Sequence, residues 1–337
     1  RSISRPVSER ARTAEIIFLV SRPFLVYIPI ESSPENKKLH NTRQPRKSAA
    51  TQRKEILMKT QSGNFKAQDG TPIYWKGWTP DDAARVKAVV HVIHGYAEHI
   101  DRYGNVVGEL LPADYAVFGT DHRGHGKSEG KRGHVLSFQE FIDDEKQFQR
   151  DVIRAKFPNL PCFVLGHSMG SLIAMNFVEQ SAEGIRGLVL SGTGSRPGTD
   201  IPKILLAATR ILSSLLPSIH VKSPLPPEFI SRDPEVVRAY VEDPLVYNVI
   251  TPRLAHEMNR YVVIGAQNAG RIQIPVLIQL GSRDTAFSGQ KELFEMVGAK
   301  DKTFKLYEGL KHEVYNELLE DRTRVLADLR TWLDKHV

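Results

Sequence analysis

The sequence predicts an α/β fold, a mostly parallel sheet with helices on both faces and an insertion late in the chain. Three observations predict it. The apolar run Phe163-Val164-Leu165 ends in Gly166-His167-Ser168-Met169-Gly170 and passes directly into the helix-compatible stretch Ser171 to Phe177. From residue 86 onward, β-branched runs alternate with amphipathic stretches, the pattern of parallel strands joined by crossover helices. About 80 residues then separate the strand ending at Ser191 from the next one near Ile274, far more than a single crossover helix requires.

The chain of 337 residues has room for one large domain or two ordinary ones. Its formal charge of +7 suggests a nucleic-acid partner until the charge is divided along the chain. Residues 1–57 hold 12 Lys/Arg against 5 Asp/Glu, and the rest holds 34 of each sign. A balanced body gives no electrostatic case for a phosphate backbone, so no nucleic-acid partner is expected. The single cysteine, Cys162, begins an apolar strand and reads as a buried structural thiol.

Residues 1–57 read as a disordered or non-native leader with no part in the fold. Their apolar runs, Ile16 to Val20 and Phe24 to Ile30, are split by Ser21-Arg22-Pro23, so no stretch of about 18 apolar residues spans a bilayer. The basic start and apolar middle make the leader a candidate weak targeting signal. Met58 opens strand-like sequence, and the expected location is cytoplasmic, peripheral to a membrane.

In order along the body, Gly63 to Trp78 reads as a hairpin turning at Asp69-Gly70. Val86 to Ile93 reads as a strand covered on both faces and ends at His94-Gly95-Tyr96-Ala97, where a glycine frees the backbone to turn and expose N–H groups. A helix near Arg102 to Leu111 and a strand over Tyr115 to Thr120 follow. The loop Asp121-His122-Arg123-Gly124-His125-Gly126-Lys127-Ser128 contains two histidines without further ligands at zinc spacing, so no metal is expected and the loop reads as braced by Asp121 and Arg123. Phe138 to Phe157 is an amphipathic helix stopped by Pro158.

Chance supplies a G-x-S-x-G in about one chain of this length in ten, so the motif gains weight from its context. A strand-to-helix turn this tight strains its central residue and needs small neighbours, here Gly166 and Gly170, and it lifts the Ser168 hydroxyl clear of the sheet edge.

The set HGYAEHIDRYG, DHRGHGKSEG and GHSMG, in that order, resembles the monoacylglycerol lipase and lysophospholipase branch of the α/β-hydrolases, with S33-type hydrolase domains. The likeness runs from about Thr71 to the C-terminus, about four-fifths of the chain. It implies an α/β-hydrolase fold with an eight-stranded sheet and a cap, and a cofactor-free serine hydrolase of glycerol monoesters or related lipids. It also implies an oxyanion hole built from the backbone N–H groups of Tyr96 and Met169, supported by His94, Gly95, Gly166, His167 and Gly170. Related members carry a small residue where Tyr96 stands. A backbone donor tolerates the change, and the pocket narrows there.

Hydrolases of this fold order their catalytic residues Ser, acid, His, just past strand C-termini. After Ser168, Asp284 follows the strand Val276 to Leu280, and His312 follows Thr303 to Tyr307. The other histidine after Asp284, His336, is penultimate and expected to fray. Asp284 as a helix N-cap and His312 as an ordinary loop residue are the structural alternatives. In the catalytic reading His312 takes the Ser168 proton and returns it to the leaving alcohol, while Asp284 fixes the imidazole tautomer.

The expected division is a core at 58–193, a mostly helical cap with a return helix at 194–269, and the remaining core at 270–337. In the cap, Ile201 to Leu216 forms a helix with Lys203, Ala207, Arg210 and Ser214 on one stripe and Ile204, Leu205, Ala208, Ile211, Leu212 and Leu215 over the rest. Such a helix either shelters acyl chains and touches a lipid surface or packs wholly into the core. The expected partner is a small lipid ester, with transient lipid-surface contact through the cap. The oligomeric state is unspecified. A proline iminopeptidase-like enzyme would need an anionic site for a free amine, and Glu228, Asp233, Glu235, Glu242 and Asp243 are spaced like a solvated face. A hydrolase-fold binding protein would carry a broken triad.

Overall fold

The computed structural model describes residues 58–198, 203–223 and 225–337. The leader, Ile201, Pro224 and the side chains of Lys203 and Leu205 lie outside the described residues.

Eight strands form one sheet: β1 (Met58–Lys66), β2 (Pro72–Pro80), β3 (Ala88–Ile93), β4 (Tyr115–Thr120), β5 (Cys162–His167), β6 (Ile185–Ser191), β7 (Val276–Gly281) and β8 (Lys302–Tyr307). Their order is β1-β2-β4-β3-β5-β6-β7-β8, with β2 antiparallel to both neighbours and every other pairing parallel. The hairpin turns where expected, with Gly70 at φ 86° and its N–H bonded to Ala67 O. β3 starts two residues later than its apolar run, because Val86 closes a 3-10 turn and the Lys87 N–H is taken by Asp114 O.

β3, β4 and β5 are buried at every residue, which is why they read as continuous apolar runs rather than alternating ones. One face is covered by α1 (Gly104–Leu110) and α8 (Leu319–His336), through Val106, Leu110, Leu329 and Trp332. The other face is covered by α2 (Gln139–Phe148, continuing through a π-helical turn to Lys156) and α3 (Met169–Gln180), through Phe141, Ile142, Leu172 and Ile173. The same core takes in Leu254 and Val262 of α6 (Pro252–Asn268) and Leu293 of α7 (Gln290–Met296).

Between β6 and β7 lie α4 (Lys203–Leu215), α5 (Pro234–Glu242) and α6. α4 is not packed wholly into the core: Ile204, Ile211 and Leu215 are 81%, 62% and 71% exposed.

Two sequence readings are corrected. His336 is not frayed. It is buried on α8, where Nδ1–H donates to Trp332 O at 2.7 Å and Nε2 lies 3.1 Å from Asp301 Oδ2. Packing of the last helix turn on the sheet, rather than distance from the chain end, decides its order. The acidic residues of the insertion are not a uniform solvated face, since Asp233 caps α5 through Glu235 N–H and Asp243 Oδ2 lies 2.9 Å from His99 Nε2.

Candidate active site

The elbow between β5 and α3 is tight. Ser168 sits at φ 55°, ψ −122°, a region that residues with side chains enter only when the surroundings hold them there. Here the Ser168 N–H donates to Ser191 O at 2.9 Å, and its carbonyl accepts from the Ser171 N–H at 2.9 Å and the Ser171 hydroxyl at 2.6 Å. A Cβ on Gly170 would lie 2.0 Å from Ile93 O, and one on Gly166 would lie 2.4 Å from Gly170 O. Both glycines are required by close backbone approach.

The turn after β3 lies directly beside this elbow, because β3 and β5 are adjacent in the sheet. A Cβ on Gly95 would stand 3.2 Å from Ser168 Cβ. His94 braces the turn with Nδ1–H donating to Gly95 O at 2.7 Å and Nε2 accepting from the His122 N–H at 3.0 Å. Burial, with His122 and His125 close by, holds the His94 imidazole well below its ordinary pKa, which agrees with that neutral tautomer. Met169 begins α3, whose first N–H groups lack intrahelical partners and carry the positive end of the helix dipole. Tyr96 and Met169 therefore flank Ser168 from two elements whose backbone donors suit a developing anion.

Asp284 follows β7 and His312 follows β8, and these strands are neighbours. His312 Nδ1 lies 2.9 Å from Asp284 Oδ1, an oxygen that also accepts the Ala286 N–H at 2.9 Å. Asp284 is not a helix N-cap, since Gly289 takes that place for α7. Burial opposes charge on His312, but the Asp284 carboxylate outweighs it and raises the imidazole pKa. Burial likewise opposes charge on Asp284, and His312 with the Ala286 N–H keeps that pKa lowered. His312 Nε2 is buried and makes no hydrogen bond, to Ser168 Oγ or to any other group. Catalytic hydrogen bonds are commonly loose before substrate binds. His167, the last residue of β5, has its ring 4.8 Å from that of His312.

One functional cluster escaped the sequence reading. Glu98 Oε1 accepts the Gly95 N–H at 2.6 Å and the Tyr103 hydroxyl at 2.9 Å. Arg102 donates to Glu98 Oε2 at 2.5 Å and, through both terminal nitrogens, to the two Glu313 oxygens at 2.8 Å each. This ion pair ties the Gly95 turn to the residue after His312. The i,i+4 spacing of Glu98 and Arg102 was readable, whereas Glu313 lies 211 residues from Arg102 and no local pattern announces it. The loop after β4 is braced as expected, with Asp121 accepting the Ile100 and Lys127 N–H groups and Arg123 paired to Asp144, Asp69 and Glu140.

A strained serine between a parallel strand and a helix, with a carboxylate–imidazole pair at the ends of later strands, defines the class as α/β-hydrolase. The chain belongs to the family described as serine aminopeptidase, S33, whose model matches residues 84–319. It is 35% identical over 277 residues to a monoacylglycerol lipase of Mycolicibacterium smegmatis, covering 81% of this chain and 97% of that one. It is 31% identical over 272 residues to the monoglyceride lipase of Homo sapiens, covering 79% of this chain and 88% of that one. Among solved structures, the monoacylglycerol lipase of Paleococcus ferrophilus superposes with a TM-score of 0.68 at 28% identity, covering 83% of this chain and all of that one.

Proposed function

We propose that this protein hydrolyses carboxylic esters, monoacylglycerols first among them, through an acyl-enzyme on Ser168. The observation that carries the mechanism is the 2.9 Å contact between His312 Nδ1 and Asp284 Oδ1, which leaves Nε2 for the proton of a serine held at φ 55°. The substrate class is supported by relatives named for monoacylglycerol that match over most of both chains.

In the first half-reaction Ser168 Oγ bonds to the ester carbonyl carbon while its proton passes to His312 Nε2. The Tyr96 and Met169 N–H groups receive the negative charge that develops on the carbonyl oxygen. The intermediate collapses with cleavage of the bond to the glycerol oxygen, which leaves with the proton from Nε2. Water then repeats the sequence on the acyl-serine and releases the fatty acid. Asp284 stabilises the imidazolium at each stage. No step requires a metal or cofactor.

The insertion at 194–269 serves as a cap in this reading, and the exposed face of α4 with Ile204, Ile211 and Leu215 meets the lipid surface from which the substrate enters. An aminopeptidase, as the family description names, needs a free carboxylate for the substrate amine. Besides Asp284, which is held by His312 and the Ala286 N–H, the buried carboxylates that act on His312 are Glu313 and Glu98, and both are engaged by Arg102. The test compares monoacylglycerols of graded chain length, lysophosphatidylcholine and an N-terminal prolyl amide, with Ser168→Ala as the blank. Monoacylglycerols are expected to give the highest kcat/KM, and preferential cleavage of the prolyl amide would replace this reading.

A further inference from the structure

The turn after β3 touches the insertion through a row of side chains. Tyr96 Oη donates to Val249 O at 2.6 Å, and the Tyr247 N–H donates to Ala97 O at 3.4 Å. Farther along, His99 Nε2 stands 2.9 Å from Asp243 Oδ2, and the Arg102 guanidinium lies 4.6 Å from the ring centre of Tyr240. The partners 240, 243, 247 and 249 follow one another, so a single seam joins the turn to the insertion.

Tyr96 differs from the other residues of the seam because its own backbone N–H is the oxyanion donor of the reading above. Its ring stands edge-on to Tyr247 at 5.8 Å and to His125 at 6.2 Å, which fixes the side chain between core and insertion. The next residue, Ala97, holds φ 63°, a left-handed conformation that is strained for a non-glycine residue. A turn strained in this way keeps its shape only where its surroundings restrain it, and the Tyr96 and Ala97 bonds to residues 247 and 249 are such restraints. Burial, with Tyr240 nearby, raises the Tyr96 pKa, so the hydroxyl remains a donor throughout the working pH range.

We propose that Tyr96 is a positioning residue for ester hydrolysis: fastened to the cap at Val249, its side chain holds its own backbone N–H in oxyanion-binding geometry and couples cap seating to the active site. The proposal rests on the reading of Ser168 as nucleophile and Tyr96 as backbone donor.

Tyr96→Phe retains the ring and the backbone N–H and deletes only the hydroxyl. The parent, Tyr96→Phe and Ser168→Ala are compared on p-nitrophenyl butyrate and on a long-chain monoacylglycerol, with active sites counted by a fluorophosphonate reaction run to completion. For Tyr96→Phe, kcat is expected to fall about five- to thirty-fold on both esters with KM within about twofold, since transition-state geometry rather than substrate binding is disturbed. Amide hydrogen exchange at residues 95–99 and 247–250 should quicken together. A kcat within twofold of the parent on both esters overturns the proposal, as does a change confined to KM, which would make Tyr96 only a pocket wall. Turnover surviving in Ser168→Ala overturns the nucleophile reading instead and is distinguishable for that reason. If Tyr96→Phe yields no titratable sites, Asp243→Asn weakens the neighbouring stitch and leaves Tyr96 intact. A several-fold kcat loss there supports the coupling, and a parent-like kcat overturns it.

Discussion

The imidazoles of His167 and His312 lie 4.8 Å apart, ring centre to ring centre, and their surroundings push them in opposite directions. Burial and the charge of His312 lower His167 to about 4. His312 is raised instead, because Asp284 outweighs burial. Of two adjacent imidazoles, His312 is thus the more basic.

The pH dependence follows from that basicity. Attack needs neutral His312, so kcat/KM should fall as pH drops through a value above the ordinary histidine range of about 6.5. In Asp284→Asn the largest raising influence is gone while burial and the lesser pull of Glu313 and Glu98 remain, so the acidic limb should move to lower pH while the plateau falls by about 10⁴. A limb that stays in place in the variant would remove Asp284 from this role. The profile is read from kcat/KM on a soluble ester.

Ser168→Ala and His312→Ala should each lower kcat by about 10⁵–10⁶ with an unchanged circular dichroism spectrum. Near-normal turnover in His312→Ala, measured with monoacylglycerol, would refute the assignment.

Two glycines should respond oppositely to alanine. Gly170→Ala places a methyl group 2.0 Å from Ile93 O and 2.3 Å from His94 O, so about 2 kcal/mol or more of stability should be lost together with activity. Gly108 lies within α1 with open space at its Cβ position, and Gly108→Ala should stabilise by about 0.5–1 kcal/mol. Urea unfolding midpoints of the two variants check both signs.

Arg102→Ala leaves Glu98 and Glu313 as facing carboxylates that are only 4% and 6% exposed, so unfolding at pH 7 should become easier by about 3–5 kcal/mol. Glu313 is pulled to about 2, as Arg102 overcomes the effect of burial. A lowered carboxylate contributes stability above its unfolded value of about 4.3, and this is lost as pH falls toward 2. From pH 7 to pH 3 the parent should therefore lose stability, whereas Arg102→Ala should regain it, because its buried facing carboxylates favour protonation.

Ile211→Ser combined with Leu215→Ser changes two side chains that are 62% and 71% exposed, so the fold should tolerate the substitution. Sedimentation with phosphatidylcholine vesicles should fall several-fold, while turnover of soluble p-nitrophenyl butyrate stays within twofold. Undiminished vesicle binding would separate α4 from the lipid surface.

Much of this molecule is legible in one dimension. The apolar runs of β3 to β6, the Asp69-Gly70 turn and the elbow at Gly166 to Gly170 follow from periodicity and turn chemistry, because each depends on neighbours only a few residues away. Asp284 and His312 were found by chain order along strand ends, a rule that belongs to the topology. α8 was missed although Val325, Leu329, Trp332 and Leu333 form a helical face, its signal diluted by the charged residues between them. Tertiary structure alone decided that Glu313 closes on Arg102, that His336 is buried against Trp332, that α4 turns apolar residues to solvent, and that the Tyr96 hydroxyl reaches Val249. Those contacts join residues far apart in sequence, and packing rather than local pattern selects them. The chain thus specifies by itself the elbow that bears Ser168, and the folded molecule decides what holds that elbow's partners in place.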